Sequence, residues 1–195
     1  MYSFGSLPRS PMLMSAEDSA LLIIDVQERL LPAVRSGGRV VWNCRRLLDG
    51  ARALGVPAAA TEQYPKGLGP TVAELRSRLS PPAEKLTFSC GSCGGLFESF
   101  RSQNRHKILV AGIEAHVCVA QTVLDLLADG WTVFVAADAV SSRFEHDEQF
   151  ALRRMEASGA IITTTEAALF EWCRAAGTDA FKQISRLARE SCPEA

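Results

Sequence analysis

The chain has 195 residues, with 22 acidic side chains against 21 basic ones and a formal net charge of -1. That length suits one domain with a real core. Its 47% hydrophobic and 22% charged content excludes a disordered or collagen-like chain. A balance this close to neutral argues against a nucleic-acid partner. No apolar run approaches the roughly 18 residues that span a bilayer, those at 20–24 and 108–113 being far too short, so no membrane partner is expected. Pro8 and Pro11 interrupt residues 1–20, which do not read as a secretory leader. The expected organisation is an N-terminal arm over 1–17, one domain over 18–190, a short tail over 191–195, and a cytoplasmic location.

Leu21, Leu22, Ile23 and Ile24 form a buried strand that delivers Asp25 at its carboxyl end. Residues 39–54 follow a helical period through Val40, Val41, Cys44, Leu47, Leu48 and Ala51, and Gly55 stops it. A weaker strand over 56–61 leads into a polar loop over 62–70. A short helix is predicted over 72–79, and a brief strand over 85–88. The second half predicts a strand at 107–112, a helix at 117–128, a strand at 132–138, a helix at 145–158 and a strand at 160–164. Helices starting at Thr165 and Asp179 follow. Strand then helix, repeated, predicts an α/β domain with a parallel sheet wrapped on both faces. Ligands in such sheets bind beyond the carboxyl ends of the strands. Asp25, Thr61, Glu62, residues 113–118 and Asp138 all stand at predicted strand ends.

Six cysteines occupy positions 44, 90, 93, 118, 173 and 192. The chain is too long and too core-rich for a disulfide scaffold, so the thiols are expected to be reduced. Cys90 and Cys93 form a lone C-x-x-C; no second pair completes a zinc site, and no helix directly after a strand makes it thioredoxin-like. No dinucleotide-binding, P-loop or nucleophile-elbow motif is present.

Cys118 stands at the predicted start of a helix, where the positive helix end favours a thiolate. The competing reading is a buried cysteine packing as a small hydrophobe. Asp25 closes an apolar strand, where an acid must be paired or at work as a general base. Lys85 by itself reads as a solvated surface charge. His116 is a rival base two residues from Cys118, but that spacing points it to a different side, which favours Asp25.

Together these residues resemble a known family. Leu22, Ile23, Ile24, Asp25, Val26 and Gln27, then Lys85 with Phe88 and Ser89, then the run from Gly112 through Cys118 to Thr122, resemble the isochorismatase-like cysteine hydrolases. The stretches 61–69 and 138–143 are similar to its isochorismatase domain-containing subgroup. The resemblance covers about residues 18 to 190. It implies a three-layer α/β/α domain with a mostly parallel six-stranded sheet, assembled into homodimers or larger homo-oligomers. It implies a catalytic triad of Asp25, Lys85 and Cys118 acting on a small-molecule amide or related C–N bond through a thioester. Main-chain N–H groups of Glu114 and Cys118 would stabilise the oxyanion, with a cis bond between Ile113 and Glu114. Tyr64, Phe88 and His116 are expected around the substrate pocket. The nicotinamidase branch of the family holds a metal through an Asp and histidines after its second strand; here that place reads Thr61, Glu62, Gln63, Tyr64, Pro65, so no metal or other cofactor is expected. True isochorismatases lack the cysteine, so their vinyl-ether cleavage is not expected either. The alternative is a catalytically silent binding or scaffold member of the same fold.

Overall fold

The computed structural model describes residues 8–192. Residues 1–7 of the expected arm and 193–195 of the expected tail lie outside the described residues. Within the arm, Met14 is fully buried and its amide donates to Glu171 Oε2 at 2.8 Å, which anchors the approach to the first strand.

Six strands form one sheet: β1 (Ser19–Ile24), β2 (Ala58–Gln63), β3 (Ala83–Lys85), β4 (Lys107–Ile113), β5 (Thr132–Ser141) and β6 (Ile161–Thr163). Their order is β3-β2-β1-β4-β5-β6, and every pairing is parallel, where a mostly parallel sheet was expected. The helices are α1 (Gly37–Leu54), α2 (Pro65–Leu68), α3 (Ala73–Arg76), α4 (Gly94–Ser102), α5 (Ala120–Ala128), α6 (Glu145–Ala157), α7 (Thr165–Cys173) and α8 (Asp179–Ala188).

Alternation along the strands divides the core in two. Leu21 and Ile23 of β1 face one cluster with Val40, Cys44 and Leu47 of α1 and Leu169 and Trp172 of α7. Ala20, Leu22 and Ile24 face the other, with Phe97 and Phe100 of α4, Val123 of α5 and Met155 of α6. Each face of a strand buried on both sides needs its own helical cover, and the result is a three-layer α/β fold. The strand order reverses between β1 and β4, which opens a crevice at their carboxyl ends.

Gly112 makes that crevice possible. Its φ is +123°, and a Cβ there would lie 2.1 Å from the Ile24 carbonyl oxygen. Only glycine allows β4 to run this close to β1 at the point where the β4–β5 register shifts.

Several boundaries differ from the sequence expectation. The strand expected over 85–88 is β3 at 83–85, because its three residues pair with Thr61, Glu62 and Gln63 before the chain turns away. Helix α4 has no counterpart in the sequence expectation: its opening glycines hide a helix whose Phe97 and Phe100, three apart, are both buried. The helix expected over 72–79 shortens to α3, with only Leu75 buried. Short α2 interrupts the expected loop over 62–70. β5 runs past Asp138 to Ser141, since Val140 and Ser141 pair with Gly112 and Ile113.

Candidate active site

The crevice gathers its residues from four elements. Asp25 follows β1 with φ 52°, a left-handed backbone that aspartate tolerates better than most residues and that costs about 1–2 kcal/mol. Its amide donates to the Thr61 carbonyl at 3.2 Å, which ties it to β2. Lys85 closes β3, two strands away, and its long side chain reaches back across β2. Lys85 Nζ donates to Asp25 Oδ2 at 2.6 Å, and both side chains are wholly buried. Cys118 follows β4, in a π-helical turn over Ala115–Val119 that precedes α5. The sequence places this cysteine in or just before the first turn of the following helix; α5 starts two residues after it, at Ala120.

Lys85 is saturated. Besides Asp25, its ammonium donates to Gln63 Oε1 at 2.8 Å, Phe88 O at 2.9 Å and Thr87 O at 3.3 Å. Three protons thus meet four acceptors. Burial opposes the charge, but the Asp25 carboxylate outweighs it and holds the ammonium above the usual lysine range. Lys85 therefore stays protonated and is no base. Gln63 is itself fixed: its Nε2 donates to Leu86 O at 2.8 Å, and its amide donates to Gln27 Oε1 at 2.8 Å. Gln27 Nε2 returns a bond to Gln63 O at 3.0 Å. Asp25 Oδ1 accepts from Thr61 Oγ1 at 2.8 Å.

The thiol of Cys118 does not follow the expectation of a helix-stabilised thiolate. Burial first, and the Asp25 charge second, push it well above the usual thiol range, while Lys85 pulls the other way. Desolvation and a nearby carboxylate outweigh a helix start that lies beyond the cysteine. At rest the site holds a neutral thiol beside an ammonium–carboxylate pair. Attack by Cys118 on a carbonyl then requires the proton to leave as the bond forms, and Asp25 is the neighbouring acceptor.

The bond between Ile113 and Glu114 is cis, as the resemblance implies. The Glu114 carboxylate is nearly buried and accepts from the Arg143 amide at 3.3 Å and from Arg143 Nε at 3.2 Å. The three expected pocket residues are not gathered into one wall. Tyr64 lines a recess of about 400 Å³ with Pro65, Lys66, Glu84, Lys85 and Leu86. Phe88 has its ring half exposed while its carbonyl holds Lys85. His116 turns towards α6: its Nδ1 lies 2.9 Å from Ser142 Oγ, and it lines a separate recess with Ala120, Asp147 and Phe150. Asp138, expected at a strand end, lies inside β5, where its Oδ1 accepts from the Thr165 amide and hydroxyl at 2.8 and 3.0 Å and fixes the start of α7.

Gln27, Gln63 and Thr122 stand in the stretches that carry the resemblance, but sequence reasoning gives them no role at the site. Gln63 lies two residues past Thr61 on β2, and that alternation was the available signal. Among the described residues, no group of three His, Cys, Asp or Glu side chains is placed to hold a metal ion. No helix among them is long and apolar enough to cross a membrane.

Comparison with known proteins bears on this geometry. Residues 19–167 match the isochorismatase domain. The chain is 40% identical over 186 residues to isochorismatase domain-containing protein 2 of Danio rerio, covering 93% of this chain and 92% of that one. A solved structure titled MAR1 ribonuclease from Caenorhabditis elegans superposes with a TM-score of 0.87 at 39% identity, over 93% of this chain and 95% of that chain. The YcaC product of Escherichia coli, described as an octameric hydrolase of unknown specificity, superposes with a TM-score of 0.84 at 25% identity, over 92% and 91%. Domain match, relatives and fold agree: the chain belongs to the isochorismatase-like hydrolase family.

Proposed function

We propose that this protein is a metal-independent cysteine hydrolase that cleaves a small-molecule amide or related C–N bond. The observation that carries the reading is the buried Lys85–Asp25 pair at 2.6 Å beside the neutral thiol of Cys118. The Cys118 sulfur attacks the substrate carbonyl carbon while its proton passes to Asp25. The carbonyl oxygen takes the negative charge, and the main-chain N–H groups of Glu114 and Cys118 are the proposed donors to it. Collapse breaks the C–N bond, Asp25 returns the proton to the departing amine, and a thioester remains. Water, deprotonated by Asp25, then attacks the thioester and frees the acid and the thiol. Each proton transfer of this kind is typically worth about 10²–10⁴-fold. Lys85, donating to Asp25 Oδ2, keeps that carboxyl group aimed throughout.

Support for a small substrate comes from the tight burial of all three groups, since a bulky polymer would not reach them. Support for a homo-oligomer comes from the octameric neighbour and from the exposed Phe144 and Phe150 rings.

A panel of small amides tests the reading, scored by amine release and by intact mass. Turnover with an acyl adduct on Cys118, both lost in Cys118→Ala, is the expected result. Turnover that persists in Cys118→Ala would overturn it. The name of the Caenorhabditis elegans neighbour makes RNA the one necessary control. RNA cleavage lost in Cys118→Ala would move the substrate class to phosphodiesters.

A further inference from the structure

The C-x-x-C after β3 takes no part in the chemistry above, yet one of its thiols is turned into the same buried cluster. Cys90 is fully buried, and its Sγ lies 3.6 Å from Thr61 Oγ1. Thr61 Oγ1 in turn lies 2.8 Å from Asp25 Oδ1. An ionised carboxylate only accepts, so the single Thr61 proton must point at Asp25. The Thr61 oxygen is then left to accept, and the Cys90 thiol is the donor that meets it. Burial keeps that thiol protonated, pushing it up to about 11. The donor direction is therefore fixed along the chain Cys90 to Thr61 to Asp25. Cys90 is anchored in turn: its amide donates to Thr122 Oγ1 at 2.9 Å, and that hydroxyl donates to the Cys118 carbonyl at 2.7 Å. The loop that carries Cys90 is thereby tied to the turn that carries Cys118.

Asp25 now has a donor on each oxygen, Lys85 on Oδ2 and Thr61 on Oδ1. A carboxylate held at one oxygen can swing about its last torsion; held at both, it cannot. We propose that Thr61 is a positioning residue for Asp25, and that the Cys90 thiol orients the Thr61 hydroxyl. The first cysteine of the C-x-x-C then serves the base and not a disulfide. Cys93 is only half buried, sits at the start of α4, and is outside this chain of donors.

The inference rests on Asp25 acting as the base for Cys118, and its test separates the two. Iodoacetamide is used at neutral pH, with peptide-resolved mass spectrometry giving a rate for each cysteine. Exposed Cys192 is the internal reference. In the wild-type protein against Asp25→Asn, the base reading requires Cys118 to slow. An unchanged or faster rate would overturn that reading, because the carboxylate would then only be suppressing the thiolate. Given the slowing, Thr61→Val is expected to lower the Cys118 rate by roughly tenfold, the scale of one lost hydrogen bond to a charged group. Thr61→Ser, which keeps the hydroxyl, is expected to restore it, with Cys192 unmoved throughout. A wild-type rate in Thr61→Val, or an equal loss in Thr61→Ser, would overturn the positioning role. Should Thr61→Val fail to fold, the Cys90 pair decides: Cys90→Ala is expected to slow Cys118 and Cys90→Ser to recover it. A wild-type rate in Cys90→Ala would overturn the orienting role.

Discussion

Lys85 shows how far a residue can be from what its local sequence suggests. Between Glu84 and Leu86 it reads as a surface charge, yet its side chain is wholly buried. A buried pair contributes little net stability, but removing one member strands the other without a counter-charge, at about 3–5 kcal/mol. Lys85→Met is therefore expected to lower the unfolding free energy by that amount, and Asp25→Asn to do so less, since its one amide oxygen can still accept from Lys85 although its nitrogen cannot accept the Thr61 proton. The double variant is expected to be more stable than the sum of the two predicts. Urea unfolding of the four proteins measures this. Strict additivity would show that the pair is not coupled, contrary to a 2.6 Å contact at full burial.

At the scale of elements, the close approach of β1 and β4 decides where the chemistry can occur. Gly112 is the contact point, with positive φ and a Cβ position that would lie only 2.1 Å from Ile24 O. Gly112→Ala is expected to cost about 3 kcal/mol or more, combining overpacking with a backbone that alanine resists. The same substitution pushes β4 away from β1, so Cys118 alkylation should change even where the protein stays folded. Thermal unfolding with per-cysteine labelling reads both. An unaltered melting temperature would mean that the strands separate freely there. Gly50 is a second tight contact, between α1 and α7, where a Cβ would meet the Leu169 side chain; it lies on the far face and should affect stability without touching labelling.

Across the whole molecule, buried thiols couple stability to pH. Burial raises Cys44, Cys90 and Cys118 in the folded chain. A raised folded value stabilises fully below the unfolded thiol value of about 8.5 and is lost as pH climbs towards the folded value. Stability is thus expected to be flat in this respect below that point and to fall above it, by up to about 1.4 kcal/mol per unit for each thiol. Cys44 lies in the core on the α1 face, away from the site. Cys44→Ala should flatten the alkaline slope by one thiol's share while leaving activity intact. An unchanged slope would count against its burial as a neutral group. Assembly is the other property of this scale. Light scattering is expected to give a mass above one chain, reduced by Phe150→Glu; a monomer at working concentrations would remove the proposed oligomer. That substitution places a charge on a ring that is 62% exposed in the single chain.

The alternation of apolar runs and helical periods was enough to determine an α/β domain. It also marked the strand ends where Asp25 and Cys118 stand, because burial on both faces leaves a strand nothing but apolar residues until the chain emerges. The motif around Gly112 to Thr122 was equally legible by resemblance. Lys85 was not legible from its own surroundings: its role depends on β3 pairing with β2 over three residues, a long-range event with no local signal. Thr61, Gln63 and Cys90 became partners of the pair only when three strands and a turn converged on one point. The protonation of Cys118 lay further still from the sequence. A helix start argues for a thiolate, and only the folded molecule supplies the burial and the Asp25 charge that reverse it. Local sequence sets which groups stand at the strand ends; their charge states are set by what the rest of the chain packs around them.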